Sequence, residues 1–351
     1  MDFDLTDVQR SWRDKAQALG ADLADDAAPG DVIAGAARAG LIDPKADLVA
    51  AALAVEALAR SSAAAGMTFA LHTSVVLALE DDGFIARSPR LQTITDSLVR
   101  GEIAGALALS SEEVPAIQDG RLDGRAAWVG PITDHGVALV GARAGAGFSV
   151  CVVPLDAVDV RIVPARTTAL HGFSFAYLTL TGTPCLDAGE PTRVMARART
   201  LIAAVALGIS GRALQESLAV VQRDHGAGGE QTVAGLLADT ATELDAARML
   251  TWQAAAQGPS TALGTGSRVS LADASMAKLA ATTAAQAAVV RATQVVGVDS
   301  FRHGHVIERL TQDVRAIELF AGRTEALREA VAAQELPDSG QRPAASSQPD
   351  R

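Results

Sequence analysis

The sequence predicts a mainly α-helical protein with a small, barrel-like β domain at its centre. Three observations carry this. Residues 1–102 place apolar side chains at helical spacing. Residues 103–188 break into short runs rich in β-formers, separated by Gly, Asp and Pro. From Pro191 the helical period returns, in segments long enough and joined closely enough to form a C-terminal four-helix bundle over residues 189–337. The tail, 338–351, is Pro- and Ser-rich and polar, which predicts disorder.

Each element has its own warrant. Thr6 and Gln9 form a capping-box pattern, and Val8, Trp12, Leu19 and Leu23 follow at helical spacing, so a helix starts near Asp7. "DVIAGAARAGLI", "DLVAAALAVEALARSSAAAGMTFALHTSVVLALE" and "SPRLQTITDSLVRGEIA" read as further helices, the last ending near Gly101. "AGALALS", "RLDGRAAWVG", "GVALVGA", "FSVCVVPL", "VDVRIVP" and "AYLTLTG" read as strands. "TRVMARARTLIAAVALGISGRALQESLAVVQRD" reads as one long helix. Val233, Leu236, Leu237, Leu244 and Ala247 mark the apolar face of a second, and "RVSLADASMAKLAATTAAQAAVVRATQVV" is a third. "HVIERLTQDVRAIELF" and "RTEALREAVAAQ" complete the set, with a break at Ala321-Gly322.

Composition narrows the function. The chain has 351 residues and a net charge of -11, which argues against a nucleic-acid or acidic-membrane binder, since either would present a basic stripe. Two cysteines, Cys151 and Cys185, are too few for a disulfide framework or a four-thiolate zinc site, so a reducing cytoplasm is expected. The N-terminus is acidic and amphipathic, unlike a signal peptide, and the Ala-rich run "LIAAVALGISGRAL" suits a buried helix better than a membrane span. "GARAGAG" lies between two strands with no helix after it, so it reads as a hairpin turn and not a phosphate loop. His303 and His305 lack a third ligand, so no metal site is expected. His72 reads as a buried, hydrogen-bonded structural histidine.

Several stretches, in order and spacing, resemble the motifs of acyl-CoA dehydrogenases over residues 1–332. "MDFDLTDVQRSWRD" resembles their first helix, and "VEALARSSAAAGMTFALHTSVV" the helix pair with a His-containing turn. "AAWVGPITDHGVALVGAR" resembles the flavin-adjacent strand, which usually reads Lys-x-Trp-Ile-Thr-Asn. "QVVGVDSF" resembles the Gln-x-x-Gly-Gly-x-Gly-Phe turn, and "HVIERLTQDVRAIELFAG" the segment ending in Tyr-Glu-Gly-Thr.

The resemblance implies FAD as cofactor, an acyl-CoA or other acyl thioester as substrate, and homo- or hetero-oligomers built through the C-terminal bundles. It also implies an electron-transfer flavoprotein as acceptor. The chemistry needs a carboxylate over the α-carbon, donors that polarise the thioester carbonyl, and a flavin edge-on to the β-carbon. Carried over residue by residue, Trp128 matches the tryptophan beside the flavin ring. Arg223 matches the arginine that crosses a subunit interface to the pyrophosphate, and Gln294 and Gly297 match the adenosine-side turn. The family's flavin loop is replaced by "LSSEEVPAIQDG", which keeps Ser110 or Ser111 as donors. The departures are as informative. The threonine after the tryptophan becomes Gly130, the second glycine of the turn becomes Val298, and the phenylalanine after Arg223 becomes Gly226. The base position is Ala321, the alternative base position is Ala198, and only Glu318 and Glu325 flank the vacancy. Two readings follow. One is a flavin-dependent dehydrogenase with a displaced base. The other is a catalytically inactive partner subunit, which the missing base, the missing threonine and the eroded loop favour.

Overall fold

A computed structural model describes residues 4–81, 89–109, 113–145, 147–186, 188–223, 231–256 and 269–336. Helix α1 (Asp7–Asp22) starts where the capping box predicts: the Thr6 side chain accepts from the Gln9 amide, and the Gln9 side chain accepts from the Thr6 amide. Its buried row is Trp12, Ala16 and Gly20, whereas Val8 is exposed. After α2 (Pro29–Arg38) come α3 (Leu48–Ser61), capped by Asp47, and α4 (Ala63–Asp81). Both α3 and α4 are apolar on nearly every side, as central helices must be. Helix α5 (Pro89–Val99) closes this domain.

The middle segment forms one eight-stranded sheet, in the order β6-β7-β3-β2-β4-β5-β8, with β1 paired to β4 off that path. The strands are β1 (Ala104–Ala108), β2 (Ala116–Gln118), β3 (Arg121–Val129), β4 (Gly136–Ala144), β5 (Gly147–Pro154), β6 (Val160–Ala165), β7 (Phe175–Pro184) and β8 (Ala188–Gly189). "GARAGAG" is the β4–β5 hairpin turn, since Ala144 pairs with Gly147. The sequence reading overlooked β2 and β8, both too short to show a period. Inward-facing Leu122, Val140, Val153 and Leu178 give the sheet its own core, separate from the main helical one.

In the C-terminal part, α6 (Pro191–Arg223), α7 (Gln231–Ala256) and α8 (Leu271–Val296) are long antiparallel helices. A 3₁₀ turn (Gly297–Phe301) leads to α9 (Val306–Leu319) and α10 (Thr324–Glu335). Helix α8 packs against α6, α7, α9 and α10. Its alanines allow close approach, and most of its contact rows are Ala. On α7 the apolar face develops along the helix: Val233, Leu236 and Leu237 are half-buried, and Leu244 and Ala247 are buried. Two ion pairs cross between helices, Arg248 to Glu56 at 2.7 Å and Arg291 to Glu243 at 2.6 Å. Segments of α4 and α6 are long and apolar enough to cross a membrane, but 94% of each such window is buried inside this protein. That burial answers their apolar character without a bilayer. The proposed disordered tail, 338–351, lies outside the described residues.

Candidate active site

Trp128 sits on β3, where strict alternation would put it on the same face as buried Ala126. A bulge prevents that. Ala126 pairs with Leu178 and Val129 pairs with Ala176, so two residues of β3 oppose one of β7. Trp128 takes a left-handed φ of 56° at the bulge and turns out, leaving it 37% exposed between buried Ala127 and Val129. Its indole meets Phe175 edge-on at 5.9 Å and Tyr177 at 5.5 Å. The Arg125 guanidinium lies 5.6 Å from the Tyr177 ring centre. This is an aromatic cluster with the Trp128 indole on its outer side.

Beside it, Gly130 stands where a threonine was expected. A Cβ there would lie 2.5 Å from the Phe173 ring and 2.9 Å from the Ser174 carbonyl. The glycine is therefore required by the seat of Phe173. Position 130 thus offers no side-chain hydroxyl beside the exposed indole. Ser110 and Ser111, the remaining donor candidates, lie outside the described residues.

An aromatic path leads from this wall to Ala321, where the resemblance predicts a base. Phe175 is 5.8 Å from Phe320, whose neighbour is Ala321. Ala321 is half-buried at the α9–α10 break and has a φ of 56°. Two buried cations hold the break. Arg199 Nε donates to the Ala321 carbonyl at 2.9 Å, and its Nη1 donates to Ser275 Oγ at 2.7 Å. Lys278 Nζ donates to the carbonyls of Glu318 at 3.0 Å and Gly322 at 2.7 Å. The Glu318 carbonyl is an orphan of the α9 C-terminus, where positive charge is also favoured by the dipole, and those of Ala321 and Gly322 belong to the turn that follows. Gly322 is needed here: at a φ of 118°, an added Cβ would lie 2.8 Å from Arg199 Nη2. Burial lowers Arg199 to about 10. Burial, then the nearby Arg199 charge, lowers Lys278 to about 7, with Glu318 opposing.

Of the two flanking carboxylates, one is committed to hydrogen bonds and the other is exposed. Glu318 Oε2 accepts from Gln286 at 2.6 Å and Arg315 at 3.3 Å, and Oε1 accepts from Thr324 at 3.1 Å. Glu325 is exposed in the first turn of α10, a favourable place for a carboxylate at a helix N-terminus. Ala198 is fully buried on α6. Arg223, Gln294 and Gly297 lie at the ends of α6 and α8, away from the wall in sequence and exposed or half-exposed. Arg223 Nε bonds its own helix at Ala219. Gly226 lies outside the described residues. No group of His, Cys, Asp or Glu that could hold a metal occurs among the described residues.

His72 is structural. It is fully buried, its Nε2 lies 3.2 Å from the Leu98 carbonyl, and its Nδ1 accepts from the Gly105 amide at 3.1 Å. These two bonds fix the neutral Nε2–H tautomer, and burial lowers its pKa to about 4. Lys278 and Arg199 were not read as site residues from the sequence. The signal for Lys278 was present: one cation in the apolar run "SMAKLAATTAAQAAVV". A cavity of about 370 Å³ lined in part by Arg60, Arg212, Arg309, His171, Asp25 and Asp313 is separate from the wall and the break.

Residues 191–336 match the family model for the acyl-CoA dehydrogenase C-terminal domain. The chain is 26% identical over 323 residues to the probable acyl-CoA dehydrogenase YngJ of Bacillus subtilis, covering 83% of each chain. Its fold is similar to that of butyryl-CoA dehydrogenase from Megasphaera elsdenii, with a TM-score of 0.83 at 18% identity over 96% of this chain and 100% of that one. It is similar also to glutaryl-CoA dehydrogenase from Mycobacterium smegmatis, with a TM-score of 0.80 at 19% identity over 94% and 95% of the two chains.

Proposed function

We propose that this chain is a divergent member of the acyl-CoA dehydrogenase family, a reading its C-terminal match supports, and that it is a partner subunit that does not itself remove the α-proton of an acyl thioester. The observation that carries this is the break at Ala321. It presents a methyl group held from behind by Arg199 and Lys278, and both oxygens of the nearest carboxylate, Glu318, are already bonded elsewhere. A well-placed base contributes about 10²–10⁴-fold, so its loss is decisive for this step.

Trp128 supports retention of part of a flavin site. With FAD bound, the flavin would supply hydride acceptance, and this chain would contribute the wall of Trp128 and Tyr177. Gly130 supplies no hydroxyl to the ring edge, and one neutral hydrogen bond lost costs roughly 0.5–1.5 kcal/mol. The isolated chain is therefore expected to hold FAD weakly, and stronger binding is expected with a partner chain. Arg223 and Gln294, exposed at helix ends, suit contacts across a bundle-to-bundle interface. An acyl-CoA substrate and an electron-transfer flavoprotein belong, on this reading, to the assembly.

The same exposed wall supports a second reading, an active dehydrogenase with a displaced base. One assay separates the two. Wild type, Ala321→Glu, Glu318→Gln and Glu325→Gln are given acyl-CoAs of several chain lengths, added FAD and an artificial electron acceptor. The partner reading expects an inactive wild type and gain of activity in Ala321→Glu. An active wild type that is silenced by Glu318→Gln or Glu325→Gln would overturn it.

A further inference from the structure

We propose that Lys278 is the pin of a latch linking the α9–α10 break to the exposed indole of Trp128, so that the charge on one buried lysine sets the position of the aromatic wall. The geometry has two parts. First, Lys278 Nζ spans the break, bonding the Glu318 carbonyl at 3.0 Å on one side of Ala321 and the Gly322 carbonyl at 2.7 Å on the other. Arg199 takes the carbonyl between them at 2.9 Å. Second, Phe320 lies inside the clamped stretch. Its ring is 5.8 Å from Phe175, and the Phe175 ring is 5.9 Å from Trp128. A shift of the break moves Phe320, and close-packed rings pass that displacement on. Trp128 is free to respond because its outer side is exposed and its backbone is a bulge.

The charged groups acting on Lys278 are Arg199 from α6, which disfavours its proton, and Glu318 from α9, which favours it. On α7, Glu243 is committed to Arg291 farther along α8. On α10, Glu325 is exposed. A protonated amine makes charge-assisted bonds to the two carbonyls, roughly twice as strong as neutral ones. Loss of the proton weakens both together, and burial brings that loss to about pH 7. The latch is independent of whether this chain turns over a substrate.

The test is fluorine NMR of the protein labelled with 5-fluorotryptophan. The chain has three tryptophans, Trp12, Trp128 and Trp252, and Trp128→Phe assigns the resonance of interest. Over about pH 6 to about pH 9, a range bracketing the lysine and excluding ordinary carboxylates, the Trp128 resonance should move with a midpoint near 7 while those of Trp12 and Trp252 hold still. Lys278→Arg, charged throughout, should pin Trp128 at its low-pH position. Lys278→Met should abolish the titration. Phe320→Leu should leave the fold intact and uncouple Trp128. A Trp128 resonance flat with pH in wild type overturns the proposal. So does one that titrates equally in Lys278→Arg, which would assign the response to a different group. If Lys278→Met does not fold, Lys278→Arg and Phe320→Leu still decide.

Discussion

His72 should make this protein acid-sensitive in a way that one substitution removes. In the folded chain its pKa falls from 6.5 to about 4, first through burial, with the Leu98 bond partly opposing. Above 6.5 the ring is neutral in both folded and unfolded chains, and its contribution to stability is complete. As pH falls from 6.5 to about 4, the unfolded chain takes up a proton that the folded chain refuses, so stability is lost. Below the folded value the loss is complete. The interval of about 2.5 units, at 1.36 kcal/mol per unit, amounts to roughly 3 kcal/mol. Protonation would also place a donor at Nδ1 against the Gly105 amide, itself a donor. The assay is urea unfolding of wild type and His72→Gln at several pH values. Glutamine carries a donor and an acceptor but does not ionise. Its own cost is constant with pH, and other titrating groups cancel in the difference between the two proteins. The stability advantage of wild type should shrink by roughly 3 kcal/mol between about pH 7 and about pH 4. Parallel profiles for the two proteins would refute the assignment of His72 as a buried neutral imidazole.

Other substitutions probe the site and its supports. Gly130→Thr should lower stability by about 1–3 kcal/mol in thermal unfolding, because its side chain enters the space of Phe173. Asp313 accepts from the Leu170 amide, and burial raises its pKa from 3.8 to about 6. Its effect has the opposite sign: stability is present below 3.8 and lost as pH rises through about 6. Asp313→Asn should therefore flatten that fall, of roughly 3 kcal/mol, in unfolding curves across the interval. Gly322→Ala should cost about 1–3 kcal/mol through backbone strain, and its close approach to Arg199 should displace that guanidinium, which calorimetry and a crystal structure would report.

The architecture was legible because its signals are local. The Thr6–Gln9 capping box starts α1 in the structure as in the sequence, and the change from helical to strand-like patterning falls where the sheet begins. Short elements were not legible. Strand β2 spans three residues and lies in a stretch that reads as a divergent loop. At the candidate site, motif order singles out Ala321, but what surrounds it could not be read from the sequence. The two cations come from α6 and α8, distant in sequence from the break they hold, and only the folded bundle brings them together. Trp128 illustrates a different limit. Alternation places it inside, and a bulge formed against β7 places it outside. A register irregularity leaves no trace in the periodicity of one strand.

The fit of Phe173 into the space above Gly130 constrains the paths by which this sequence can change. A threonine cannot enter position 130 while the aromatic ring occupies the room that its Cβ needs. The ring must shrink or withdraw first, and doing so alone would empty a packed site next to Phe175. Each single step is therefore unfavourable, although the double change can conserve volume. The pair is coupled: with Phe173 in place, no side chain larger than hydrogen fits at position 130 without a second change. A hydroxyl introduced at position 130 would need Phe173 replaced in the same variant.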